Sequence, residues 1–114
     1  MDRVFERTML YDFYGELLNE HKKSIYEDAL LNDLSLSEIA EDRGVSRQAV
    51  HDIIKRCNAQ LEEYENKLHL LSKFLKTKDM VGEMNHLIKE YRESGDKTCL
   101  DKVEAISQGI VDEF

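Results

Sequence analysis

Residues 34–55, LSLSEIAEDRGVSRQAVHDIIK, decide the fold. Their spacing predicts two short helices joined at a glycine, a helix-turn-helix whose second helix is shaped to lie against nucleic acid. Ser35 or Ser37 can cap the first helix, with Glu38 and Glu41 near its positive end. Ile39 and Ala40 face inward, and Ala40 is small where two helices cross closely. Gly44 follows the last turn, where a left-handed backbone favours glycine, and Val45 is expected to anchor the turn. Arg43 stands at a position often apolar in such motifs and is expected to snorkel, its stem buried and its charge in water. Ser46 then caps the second helix, which buries Ala49, Val50 and Ile53 and turns Arg47, Gln48, His51, Asp52 and Lys55 outward.

That outward face is the candidate binding surface. Ser46, Arg47 and Gln48 sit at the helix start, where free backbone amides favour a phosphate or a base edge. Arg47 suits a bidentate contact and Gln48 suits the edge of adenine. Lys55 and Arg56, two turns on, are placed for backbone phosphate. The nucleic-acid-binding set is therefore Ser46, Arg47, Gln48, His51, Lys55 and Arg56, with Asp52 among them repelling phosphate. The same motif also serves elsewhere as a three-helix scaffold for protein contacts, so it speaks for a fold before it speaks for DNA.

Upstream, residues 3–18 read as a helix in which Phe5, Met9, Phe13 and Leu17 recur, with Leu10, Tyr14 and Leu18 widening the stripe. Residues 21–31 make another, burying Ile25, Ala29 and Leu30, with Asn19 and Asn32 suited to helix ends. Downstream, the second motif helix is expected to run on. From Val50 the apolar residues Ile54, Cys57, Leu61, Tyr64, Leu68, Leu71 and Leu75 alternate in steps of four and three, a coiled-coil seam. It would span about 38 Å at 1.5 Å per residue, more than a three-helix unit can cover. Leu61, Tyr64, Leu68, Leu71 and Leu75 are thus the candidate self-association residues of a homo-oligomer. Lys76 to Asp79 breaks the phase, so a bend is expected there. Met80, Met84, Leu87, Ile88 and Tyr91 form a further stripe, Gly95 suits its end, Asp96 or Thr98 caps the next helix, and Leu100, Val103, Ile106 and Ile110 line the last.

The fold class is all-α: a helix-turn-helix unit at 1–57 with its motif at 34–55, and at 58–114 a long-helix extension folding into a C-terminal helical bundle, the two expected to form one continuous domain. The composition agrees, with no proline, five glycines and 35% charged residues among 114. No apolar run is long enough to span a bilayer, so membrane insertion is not expected. The N-terminus lacks the apolar core of a signal peptide, and two distant cysteines read as reduced thiols, which together point to the cytoplasm. His21, His51, His69 and His86 are never three or four apart, so no helix offers a paired-histidine metal site. No activated thiolate or phosphate loop is recognisable, and neither catalysis nor a cofactor is expected.

Net charge is −8, awkward for a protein drawn to phosphate. The stretch 35–57 is neutral, with Glu38, Glu41, Asp42 and Asp52 set against Arg43, Arg47, Lys55 and Arg56. A neutral motif on an acidic body favours weak binding, binding as an oligomer, or action on nucleic acid already held in a protein complex. A second, smaller basic stretch runs through Lys67, Lys73, Lys76 and Lys78; it suits solvated lysines flanking the seam better than a surface for RNA or an acidic protein.

The motif residues SLSEIAEDRGVSRQAVHDIIKR resemble region 4 of sigma factors, which reads promoter DNA. With the flanks LYDFYGELLNEHKKSIYEDALLNDLSLSEIAE and LEEYENKLHLLSKF, the chain is more closely similar to the YlxM family of small bacterial helix-turn-helix proteins encoded beside the signal recognition particle genes. The resemblance spans residues 10–74, and nothing is carried over after Lys78. It implies a part in the signal recognition particle pathway, with contact to the particle's RNA and its GTPase subunit. From the family's motif, Ser46, Arg47, Gln48 and Lys55 map as contacts. Two alternatives stand beside it: a DNA-binding transcriptional regulator resembling sigma region 4, and a protein-interaction module in which the motif is only scaffold.

Overall fold

The computed structural model describes residues 3–114. Among them are six α-helices, one short 3-10 turn and no strand. The chain divides into two compact units, one reaching to Leu71 and the other Ser72–Phe114. The first unit holds α1 (Arg3–Tyr14), the turn Gly15–Leu17, α2 (Glu20–Leu30), α3 (Leu36–Arg43), α4 (Arg47–Leu68) and the start of α5 (Leu70–Ser94). The second holds the rest of α5 and α6 (Thr98–Glu113).

The core of the motif is Ile25, Ile39, Ala40 and Val50, with Ala29, Leu34, Leu36, Ile53 and Ile54 packed around it. The helices α2, α3 and α4 each begin on a side-chain cap. Asn19 Oδ1 accepts the Lys22 amide at 2.9 Å. Ser35 accepts the Glu38 amide while the Glu38 carboxylate accepts the Ser35 amide, a reciprocal capping box. Ser46 Oγ accepts the Ala49 amide at 3.0 Å. Gly44 is left-handed, with φ of 66°, and a Cβ there would meet nothing within 4 Å, so backbone conformation alone calls for glycine. Val45 does not anchor the turn through its side chain, which is exposed; its amide does so, donating to the Ala40 carbonyl at 3.0 Å. Arg43 does not snorkel either. Its guanidinium reaches Ser24 Oγ at 2.7 Å and Asp28 Oδ2 at 2.8 Å, tying α3 to α2.

The first helix stops at Tyr14 rather than reaching residue 18. Tyr11 swings its ring to 2.6 Å from where a Gly15 Cβ would stand, so only glycine lets the chain turn there. The line that enters the core is Leu10, Tyr14 and Leu18; Phe5 and Leu17, on the neighbouring line, are exposed. Polar tips decide the rotation. Tyr14 bonds Glu65 at 2.6 Å, Tyr11 bonds Glu27, and Tyr26 bonds Asn58, with the Tyr11 and Tyr26 rings stacked at 5.9 Å.

The expected unbroken helix from Val50 to Leu75 is interrupted. His69 takes a left-handed conformation with φ of 57°, its amide closes α4 on the Glu65 carbonyl at 2.8 Å, and α5 starts at Leu70. α4 is therefore 22 residues, about 33 Å long. The Tyr14 hydroxyl and Glu65 carboxylate accept the amides that this break frees, those of Leu70 and Leu71. The first unit runs on to Leu71, with Cys57, Leu61 and Leu71 buried.

The expected bend at Lys76 to Asp79 is absent, and α5 continues through it. None of these residues breaks a helix, and Lys76 Nζ pairs with Glu113 at 2.9 Å. The second unit is an antiparallel hairpin, since residues early in α5 meet residues late in α6: Lys76 with Glu113, and Lys73 over the Phe114 ring at 5.8 Å. Asp96 Oδ1 accepts the Thr98 amide at 3.0 Å where α6 begins. Leu87 and Cys99 are its buried residues, while Phe74, Val81, Leu100 and Val111 stay largely exposed.

Candidate nucleic-acid interface

Successive residues of a helix turn by about 100°, so the solvent face of α4 follows from which of its residues the core has taken. Val50, Cys57 and Leu61 are inside. Arg47, Gln48, His51, Asp52, Lys55, Arg56 and Ala59 are all exposed on the other side. The structure thus gathers the sequence-derived set on one face of one helix. Ser46 is exposed at its start, with its oxygen committed to the Ala49 amide, so its part is to cap the helix.

Arg47, Gln48 and His51 line an open groove of about 480 Å³, closed on one side by Leu36 from the first turn of α3. Asp52, Lys55, Arg56 and Ala59 line a second groove, of about 380 Å³, further along α4. Between them Gln48 Nε2 donates to Asp52 Oδ1 at 3.0 Å. His51 Nδ1 lies 3.7 Å from the same oxygen, an ion pair whenever the imidazole is protonated. The i,i+4 spacing of Gln48 and Asp52 could have signalled that bond; the place of Leu36 in the groove had no sequence signal.

The electrostatics are mixed. Arg47, Lys55 and Arg56 face solvent, but the exposed side of α3 carries Glu38, Glu41 and Asp42. Arg43, drawn into the Asp28 bond, adds no free charge to this surface. One turn past Ala59 the α4 face turns acidic, with Glu62 and Glu63 exposed. Cationic contacts are therefore confined to roughly 14 Å of helix, from Arg47 to Arg56.

The candidate self-association residues are dispersed. Leu61 and Leu71 are buried within the first unit and offer no surface to a partner. Tyr64 is half-buried beside the Tyr14 ring at 6.0 Å. Leu68 is 47% exposed, and Leu75, in the second unit, is half-buried. Of the second basic stretch, Lys67 pairs with Glu63, and Lys73 and Lys76 are engaged within the hairpin. Cys57 is buried and its thiol is pushed up by desolvation, which suits an apolar filler. Among the described residues, no group of three His, Cys, Asp or Glu side chains is placed to hold a metal ion, and no helix is long and apolar enough to cross a membrane.

Comparison with known proteins agrees with this architecture. Residues 1–101 match the family model UPF0122, helix-turn-helix proteins like YlxM and p13. UPF0122 proteins of Bacillus thuringiensis (strain Al Hakam) and Bacillus cereus (strain 03BB102) are each 44% identical over 108 residues, covering 95% of this chain and 97% of theirs. The chain belongs to the UPF0122 family of YlxM/p13-like helix-turn-helix proteins.

Proposed function

We propose that this protein is a non-catalytic regulator that binds nucleic acid through the solvent face of α4 and acts in the signal recognition particle pathway. The observation that carries the binding is the open groove on which Arg47, Gln48 and His51 converge, with Lys55 and Arg56 continuing the same face. The pathway comes from the family resemblance, and the charge distribution supports it. A short cationic window bordered by Glu41, Asp42, Glu62 and Glu63 suits an accessory to an existing ribonucleoprotein better than unaided capture of a phosphate polymer. In this reading the partners are the particle's RNA and its GTPase subunit, in the cytoplasm. Binding alone shifts their assembly, and self-association strengthens an otherwise weak contact.

One observation favours the alternative, a DNA-binding transcriptional regulator resembling sigma region 4. Arg47, Gln48, Lys55 and Arg56 all lie exposed on one face of a single helix, the element that the B-DNA major groove admits.

The test is titration of the purified protein against signal recognition particle RNA, with and without the GTPase subunit, and against random duplex DNA over a range of salt. Saturable particle binding with weak DNA binding is the expected result, and the reverse favours the alternative. Changing Arg47 and Lys55 together to Glu should abolish either while leaving helicity intact. Binding to neither, or binding indifferent to that change, overturns the proposal and leaves the motif as a scaffold for protein contacts.

A further inference from the structure

A glutamine that reads a base must present its two polar ends in a fixed order. Adenine offers an acceptor at N7 and a donor at N6, which match the Nε2–H and Oε1 of one amide; guanine offers two acceptors and opposes the oxygen. A free glutamine blurs the distinction, because its terminal torsion is broad and it can turn its NH2 end to the groove, giving one N–H to each of guanine's acceptors. In this protein Gln48 is not free. Its Nε2 donates to Asp52 Oδ1 at 3.0 Å, one helical turn on.

An ionised carboxylate only accepts hydrogen bonds. The amide nitrogen must therefore face Asp52, because the flipped amide would set Oε1 against a negative oxygen. One Nε2–H is spent on Asp52, leaving the second N–H and Oε1 available to the groove that Gln48 lines with Arg47 and His51. From this geometry, and resting on the proposed nucleic-acid reading of the α4 face, we infer that Asp52 is a positioning residue: it locks Gln48 in the orientation that recognises the N6/N7 edge of an adenine. Its negative charge weakens binding to every sequence alike, and the fixed amide gives selectivity in return. The same edge is offered by a DNA major groove and by an unpaired adenine in RNA.

The inference separates charge from orientation, and so does its test. The full-length protein is used to select from a randomised DNA duplex pool and a randomised RNA pool, and the base preference of the selected sequences is read. The wild type should enrich adenine over guanine by roughly tenfold at one position, and the pool in which it does so identifies the source. Asp52→Asn, which lets the amide sit either way round, should bind all sequences more tightly yet lose that preference. Asp52→Glu, still an acceptor only, should keep it. Gln48→Ala should lose it, and the double variant Q48A/D52N should lose no more. A preference unchanged in D52N, or absent from a wild type whose binding depends on Arg47 and Lys55, overturns the role of Asp52 alone. Binding in neither pool beyond that of the Arg47 and Lys55 double variant overturns it together with the reading beneath it.

Discussion

The Tyr14 hydroxyl on α1 donates to Glu65 Oε1 on α4 across 2.6 Å and in turn accepts the Leu70 amide at 3.1 Å, while the same carboxylate oxygen accepts the Leu71 amide at 2.9 Å. A helix start leaves its first amides without partners, and here two side chains from separate helices supply them. The pair stabilises an interruption of the chain at His69, a non-glycine residue in a left-handed conformation that costs about 1 kcal/mol or more. The relationship joins residues 51 positions apart and fixes where α4 ends.

Tyr14→Phe should therefore destabilise the protein by about 1–2 kcal/mol, since the ring still fills its place but the Leu70 amide and Glu65 lose their partner. His69→Gly should do the opposite, by up to about 1 kcal/mol, because glycine takes that backbone conformation without strain. Urea unfolding followed by circular dichroism measures both. Identical midpoints for Y14F and the wild type would mean that the hydroxyl contributes nothing at the break.

Arg43 holds α3 against α2 by bonding Ser24 and Asp28, and those bonds, helped by Asn32, hold the Asp28 carboxyl below its ordinary value of 3.8. A carboxyl whose folded pKa is depressed contributes stability above its unfolded pKa and loses it as pH falls through the folded one. Stability should thus decline below about pH 4 partly through Asp28. Asp28→Asn should flatten that part of the decline while lowering stability at neutral pH. Thermal unfolding of the two proteins across pH 2 to 7 checks this; parallel curves would remove Asp28 from the account.

The motif was legible because each of its features is local. Ser35, Gly44 and Ser46 act within a few residues of their own positions, and Ile39, Ala40 and Val50 follow one helical period. Sequence and structure part where a distant partner decides the outcome. Nothing near Arg43 indicates that Asp28 will claim it, and nothing near His69 indicates that Tyr14 will take up the Leu70 amide freed there. The seam from Val50 to Leu75 keeps its four-three rhythm across the break, since periodicity records which residues are apolar but not where the backbone turns. At the interface the exposed side chains followed from helical phase, whereas the groove wall at Leu36 required the packing of α3 on α4.

Burial keeps three tyrosines protonated. Desolvation raises Tyr11, Tyr14 and Tyr26 above the ordinary 10, Tyr26 to about 12, and a carboxylate accepting from the hydroxyl adds to this at Tyr11 and Tyr14. Acids with a raised folded pKa contribute stability below the unfolded value that is lost as pH climbs past it. The protein should accordingly unfold in alkali above about pH 10. Absorbance at the tyrosinate band should rise in a late cooperative step that coincides with loss of helicity. Smooth ionisation of all tyrosines near 10 with helicity retained would contradict the buried hydroxyl bonds.

Self-association, if it uses the surface near the helix break, must use what the fold has left exposed. Leu61 is 1% exposed and Leu71 is 4% exposed, so lysine at either position would unfold the first unit rather than dissociate an oligomer. Leu68, at 47%, and Leu70, at 40%, remain apolar and accessible beside it. Leu68→Lys should shift an oligomer seen by light scattering to monomer and leave the urea midpoint nearly unchanged, because that side chain contributes little to its own core. A surface apolar contact of this kind is concentration-dependent, so the shift should be largest at concentrations where the wild type is associated and should vanish on dilution. A wild type that stays monomeric at high concentration would end the self-association proposal, and the weak cationic window on α4 would then have to act through one copy at a time.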